Sequence, residues 1–370
     1  MNRTSAAPFR LPPALPAWCL VSPVLALLGL WGISHLGQEV GGWAMLPPAL
    51  LLMAAVLSAV HHAEVVAHRV GEPFGSLVLA VAVTVIEVAL IVSLMLAGGE
   101  SSNALARDTV FSALMIVCNG VVGLCLLLGG LRHKVLAFRV EATSPTLAVL
   151  VALATLTLVL PSFTTSTPGP TFSTAQLMFA GLVSLVLYGA FVFVQTVRHR
   201  EYFLPIETEE GEQAAERPSA GVAAWSVVLL LACLVGVVGL AKLLAPGIEA
   251  GVRAAGAPPS VVGVIVALLV LLPETVAAVR AALRKRLQTS LNLALGSGVA
   301  SIGLTIPAVA LLSLFFPYPL VLGLSNTSMV LFLLTVVVAT LTLGSGRATV
   351  LQGAVHLVLF AVFCFLAVVP

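Results

Sequence analysis

The chain has 370 residues, of which 60% are hydrophobic and 9% charged, and its mean hydropathy is +1.14. A water-soluble domain of this length does not form with so little charge, so the chain is a polytopic membrane protein. A net charge of +2 without a basic tract offers no footing for nucleic acid.

Segment 1–40 carries Arg3 and Arg10 ahead of an apolar run from Trp18 to Leu36. The run is long for the core of a cleaved signal peptide and lacks an Ala-x-Ala site, so it is expected to be a first span. Runs long enough to cross about 30 Å of hydrocarbon then recur. They predict spans at 17–36, 43–63, 75–97, 109–130, 145–161, 174–197, 221–244, 258–279, 291–314, 325–343 and 349–369, eleven in all. With the amino terminus in the cytoplasm, the inner segments hold Arg3, Arg10, Arg69, Arg132, Lys134, Arg139, Arg198, Arg200, Arg217, Arg280, Arg284, Lys285, Arg286 and Arg347. The outer segments hold Arg107, Lys242 and Arg253. Fourteen cations against three is a strong positive-inside bias, and one span more or fewer would scramble it. The expected location is a bacterial cytoplasmic membrane, with the carboxyl terminus in the periplasm. All five cysteines fall inside apolar runs and none forms a CxxC pair, so they read as small core residues.

One link, 198–220, is longer and polar, with Glu201, Glu207, Glu209, Glu210, Glu212 and Glu216. It reads as a solvated linker or as a weak cation-attracting patch. It separates a first set of five spans, 41–197, from a second, 221–370. Five is odd, so the second set must cross the membrane in the opposite sense, which is the condition for an inverted-topology repeat. Asp108–Leu124 aligns without gaps on Gln288–Leu304, matching Thr109 with Thr289, Gly123 with Gly303 and Leu124 with Leu304.

Of fifteen acids, thirteen fall in links or at span ends. The other two are Glu87 in the third span and Glu274 in the eighth, equivalent members of the two sets. An ionisable side chain at bilayer depth costs several kcal/mol or more, which makes it a functional-site hypothesis by default; the alternative is a pair of protonated structural acids. The two spans run antiparallel, so both carboxylates point to one midplane site. Pro273 beside Glu274 removes a backbone donor and is expected to free the Leu269 carbonyl in a broken helix. Thr84 shares a face with Glu87, and Ser297, Ser301 and Thr305 form a stripe at four-residue spacing. Ser112 and Asn119 share a face in the fourth span. For these neutral residues the competing reading is close helix packing or an interhelical hydrogen bond.

Two carboxylates with neutral oxygens, and neither His nor Cys, suit hard cations such as Ca²⁺, Mg²⁺, Na⁺ or K⁺. Two negative charges close together in a low dielectric need a cation or protons to neutralise them. A site that accepts one or the other, given alternating access, is an exchanger. A second cluster, His61, His62, Glu64, His68, Arg69 and Glu72, lies at the inner end of the second span. It reads as an interface belt or as a proton and cation antenna, with Glu72 and His68 as candidate cytoplasmic mouth residues. Its spacing is not HExxH, and no GxGD pair occurs, so an enzyme is not expected. Arg280, Arg284, Lys285 and Arg286 are explained as topology-setting charge.

At these residues the chain resembles the cation/proton exchangers of the cation/calcium exchanger superfamily, and within them the bacterial ChaA type. Ala63–Glu87 matches the spacing of that family's first glycine-rich and GNAAE-like motif, with Glu87 at its glutamate. Leu271–Glu274 (LLPE) stands at the second motif, Leu293–Gly298 (LALGSG) at the glycine–serine segment after it, and Asn119 at an asparagine of the fourth span. The resemblance implies one span plus two inverted sets of five. Thr84 and Leu271 stand where both motif asparagines belong, which leaves room for Na⁺ or K⁺ beside Ca²⁺. The expected activity is antiport, exporting Ca²⁺, and Na⁺ or K⁺ in an alternative reading, against protons. Glu87 and Glu274 would carry the ions, with Thr84, Asn119, Ser297 and Ser301 completing the shell. A cation channel is the rival from another class. No cofactor is expected, and the partners are the lipid bilayer, the ions and, in an oligomer, further copies of the chain.

Overall fold

A computed structural model describes residues 15–36, 42–71, 74–98, 102–204, 218–315 and 319–370. Eleven helices are long and apolar enough to cross a membrane. They are α1 (Ala17–Leu36), α2 (Leu46–Val70), α3 (Phe74–Gly98), α4 (Leu105–His133), α5 (Val140–Ser162) and α6 (Thr174–Arg198). After the link come α7 (Ala220–Ala254), α8 (Ser260–Leu283), α9 (Leu287–Phe315), α10 (Asn326–Leu343) and α11 (Val350–Val368). Several starts are written in the sequence as caps. The Ser219 and Ser325 hydroxyls accept from Val222 N and Ser328 N, and Ser173 and Thr349 each form a reciprocal box with a glutamine three residues on.

The packing repeats with the halves exchanged. Helix α3 packs on α9 while its counterpart α8 packs on α4, and α4 packs on α11 while α9 packs on α6. Helices α2 and α7 pack on each other, closing the pseudosymmetric pair. These are the pairings of an inverted-topology repeat, with α1 laid against α2 and α7 outside it.

The links confirm the alternation of the spans. Strand β1 (Leu136–Ala137) pairs antiparallel with β2 (Arg347–Ala348), joining the α4–α5 and α10–α11 links. Arg69 at the end of α2 donates to Pro218 O before α7. At the opposite end Thr171 bridges Val321, Val321 N donates to Asn103 O, and Arg107 donates to Gly323 O. Each contact joins links that eleven crossings place on one side. The first group lies at the cation-rich end.

Three expectations need correction. Helix α2 runs on to Val70 rather than stopping at 63, so His61, His62, Glu64 and His68 are helical. Helix α7 is likewise 35 residues long, extending past 244 to Ala254. And α8 continues unbroken through Pro273.

Candidate functional site

Glu87, near the middle of α3, is 3% exposed. The Ser301 hydroxyl of α9 donates to both its oxygens, at 2.8 and 2.9 Å. Glu274, past the middle of α8, lines the same cavity, and its Oε2 is buried with no hydrogen-bond partner. The cavity holds about 160 Å³ and is also lined by Thr84 and Ser297. Five of the residues expected at the site, Glu87, Glu274, Thr84, Ser297 and Ser301, therefore surround one space. Thr305, one turn beyond Ser301, is also buried, with its hydroxyl beside Glu87.

Most of the remaining wall around the acids is apolar, with Val83, Phe191 and Val192, and the polar Gln195 and Asn292 lie farther along it. A carboxylate facing such a wall gains little solvation from it. Its charge must be met by the few oxygens and donors present, by a cation, or by a proton. The lining runs from mid-bundle toward the cation-rich end, along Glu87 to Leu79 on α3, Ser301 to Asn292 on α9 and Tyr188 to Gln195 on α6. Near that end Asn292 Nδ2 donates to Phe203 O, and its Oδ1 accepts from Gln288. Those bonds tie α9 to the helical turn that follows α6. Hydropathy alone gave no sign of Tyr188, Gln195 or Asn292, because their role depends on which helix faces which.

The other expected site residues lie apart. Asn119 does not line the cavity: its Nδ2 donates to Thr335 Oγ1 at 2.9 Å, and its Oδ1 faces His356 Nδ1 at 3.1 Å. It stands in a π-helical turn of α4, Ile116–Val121, with Thr342 on the far nitrogen of His356. His356 is wholly buried and went unremarked in the sequence, although a histidine within the last apolar run carries the same signal as the two glutamates. His68 is exposed and does not line the cavity. Glu72, like Glu207–Glu216 of the acidic link, lies outside the described residues. His62 is no surface belt residue: it is buried, with Nε2 at 2.9 Å from Cys19 O. Glu64 lies within charge–charge range of Glu274, as Glu87 does. Leu271 O, one turn before Thr275, accepts from the Thr275 hydroxyl at 2.7 Å.

Residues 42–197 and 225–369 match the profile of a family described as sodium/calcium exchanger protein. Over 350 residues the chain is 36% identical to the sodium-potassium/proton antiporter ChaA of Escherichia coli, covering 93% of this chain and 94% of ChaA. It is 49% identical over 357 residues to y4hA of Sinorhizobium fredii, described as an inferred ionic transporter, covering 96% and 97%. The fold is that of native YfkE, with a TM-score of 0.73 at 16% identity, covering 95% of this chain and 99% of YfkE. It is also that of the H⁺/Ca²⁺ exchanger CAX, with a TM-score of 0.65 at 18% identity, covering 94% and 87%.

Proposed function

From the premise that the chain belongs to the sodium/calcium exchanger protein family, a family of transporters and not of enzymes, we propose that it is a cation/proton antiporter. Glu87 and Glu274 form its shared ion site. The observation that carries this reading is the convergence of both acids on one cavity, with Glu274 Oε2 lacking any partner. In the cation-loaded state the two carboxylates, with the hydroxyls of Thr84, Ser297 and Ser301, supply hard oxygen ligands. Ser301 must then turn its hydrogen away from Glu87 and present a lone pair. In the proton-loaded state the acids are neutral, and their burial becomes tolerable without metal. The same pair cannot hold both loads, so flux of one ion is tied to counterflux of the other. It follows that acid competes with cation, and the cation KM rises as pH falls on the loading side.

Na⁺ or K⁺ is the principal cargo in this reading. Support comes from the sodium-potassium/proton antiporter at 36% identity and from a shell with one hydroxyl, of Thr84, and the apolar Leu271 where an exchanger motif would put amides. Ca²⁺ is the second reading, favoured by two carboxylates at one site. The cation-rich end is cytoplasmic by the positive-inside rule, so the cavity faces inward and the protein exports cation from the cytoplasm of a bacterial cell.

Purified protein in liposomes under a proton gradient, with internal pH followed by a dye, tests the proposal. Addition of Na⁺, K⁺ or Ca²⁺ should move protons only for transported ions, and an uncoupler should abolish the response. Glu87→Gln and Glu274→Gln should each remove exchange while leaving a monodisperse protein. Near-normal exchange in either variant sinks the shared site, and cation flux that continues unchanged without a pH gradient or counter-ion points to a channel.

A further inference from the structure

We infer that the cation-rich end of the bundle carries a second site, one that binds the phosphate-bearing headgroup of an anionic phospholipid. It lies between the end of α4 and the turn from α8 to α9. Arg132 comes from one wall, Arg280 and Arg284 from the other, with Lys285 and Arg286 in the turn, around a cavity of about 680 Å³. None of the described residues that line it is acidic. Lys285 and Arg286 have partners of their own, whereas Arg132, Arg280 and Arg284 face the hollow with no ion pair among the described residues.

The positive-inside rule accounts for the number of cations and their side of the membrane. It does not account for their convergence. Charges that only set topology repel least when spread along links, whereas here two spans from opposite halves aim them into one hollow. The hollow is also fixed. His133 of α4 lies 3.0 Å from Leu283 O of α8, which holds the walls together. The backbone at Lys285 and at Lys134 takes positive φ, 64° and 67°. That region is costly for residues other than glycine and is retained where the surroundings demand it.

Convergent guanidinium groups pair their forked donors with phosphate oxygens. Basic hollows between membrane helices on the cytoplasmic side are suited to anionic headgroups. A free phosphate ion would satisfy the same donors. What favours lipid is the apolar surface beside them: Leu131, one residue before Arg132, is 67% exposed, and Val135 is 53% exposed. An acyl chain can lie along those side chains while its phosphate sits among the arginines. This placement is independent of which ion the central cavity carries.

The test is native mass spectrometry of the full-length protein released from detergent after incubation with phosphatidylglycerol or with phosphatidylcholine. Wild type should retain phosphatidylglycerol roughly tenfold more, the ratio that a preference of about 1.4 kcal/mol gives. Arg280→Gln with Arg284→Gln should erase the preference without changing phosphatidylcholine retention. Arg132→Gln, on the opposite wall, should weaken it independently should the double variant fail to fold. Equal retention of both lipids by wild type overturns the proposal, as does a preference that survives both variants. Millimolar inorganic phosphate should displace little phosphatidylglycerol. Full displacement, with binding of phosphate in the absence of lipid, would assign the hollow to a free anion instead.

Discussion

The hydroxyl of Ser301 shares its single hydrogen between the two oxygens of Glu87, and it is the strongest donor contact either membrane carboxylate has. A hydrogen bond to a charged group contributes about 1.5–3 kcal/mol. Ser301→Ala removes the donor to Glu87 and, in the proposed ion site, a ligand oxygen for the loaded state. The expected result is a rise in cation KM of about tenfold or more, the equivalent of about 1.4 kcal/mol or more. Ser301→Thr, which keeps the hydroxyl, should restore most of the loss. Unchanged KM in Ser301→Ala would remove Ser301 from the ion shell. This part of the site was legible in the sequence. A glutamate inside an apolar run is conspicuous, and Ser297, Ser301 and Thr305 recur at helical spacing, so their shared face needs no structure to be seen. Glu274 was equally plain. The break expected at Pro273 is absent: a helix packed against α4 and α9 holds its course without one amide hydrogen.

At the scale of helices, Asn119 shows where sequence reading stops. Its residue type, depth and neighbours on α4 are compatible equally with an ion ligand and with an interhelical bond. The choice between them lies in partners 216 and 237 positions away, Thr335 on α10 and His356 on α11. No local pattern announces such pairs. The resulting network, His356 to Thr342 at one end and Asn119 to Thr335 at the other, ties three helices together. It adds specificity where α4 and α11 approach closely, since a Cβ on Gly123 would come within 2.9 Å of the His356 Cβ. Asn119→Ala would take the Asn119 partner from His356 Nδ1 and leave the Thr335 hydroxyl with only the weak acceptor Met115 Sδ, at a cost of about 1–3 kcal/mol. The expected outcome is a lower melting temperature in detergent with the cation KM intact. A large KM change without loss of stability would return Asn119 to the ion site. Helix ends escaped the sequence for a related reason. His61, Glu64 and Arg69 break the hydropathy of α2 but not its backbone, and hydropathy measures what lipid tolerates, not where a helix stops.

Over the whole molecule, the count of spans and their inversion were legible because both follow from long-range regularities of the sequence, apolar length and the side on which cations fall. Which side of the membrane the cavity faces was not, because it depends on how the two halves are tilted against each other. The packing differs between the two ends of the bundle. Toward the cation-poor end α8 and α4 are in near backbone contact: a Cβ on Gly263 would lie 2.7 Å from the Asp108 carbonyl carbon. Toward the cation-rich end the walls of the Glu87–Glu274 cavity stand apart. The proposed antiport, if it works by alternating access, requires that this asymmetry reverse during the cycle, with the two halves exchanging roles about the two acids. Gly296 offers a direct probe. It lines the cavity, and a Cβ there meets nothing within 4 Å, so Gly296→Cys fits without repacking. Four native cysteines, Cys19, Cys118, Cys125 and Cys233, are buried, whereas Cys364 is half-buried, so the labelling is read in a Cys364→Ala background. A membrane-impermeant maleimide should label Gly296→Cys in inside-out vesicles, and at least about tenfold more slowly in right-side-out vesicles, if the opposite conformation is populated at 10% or less. Transported cation should slow the labelling by filling the cavity. Equal labelling from both faces would mean a continuous pore, and labelling from the outer face alone would reverse the orientation on which cation export depends.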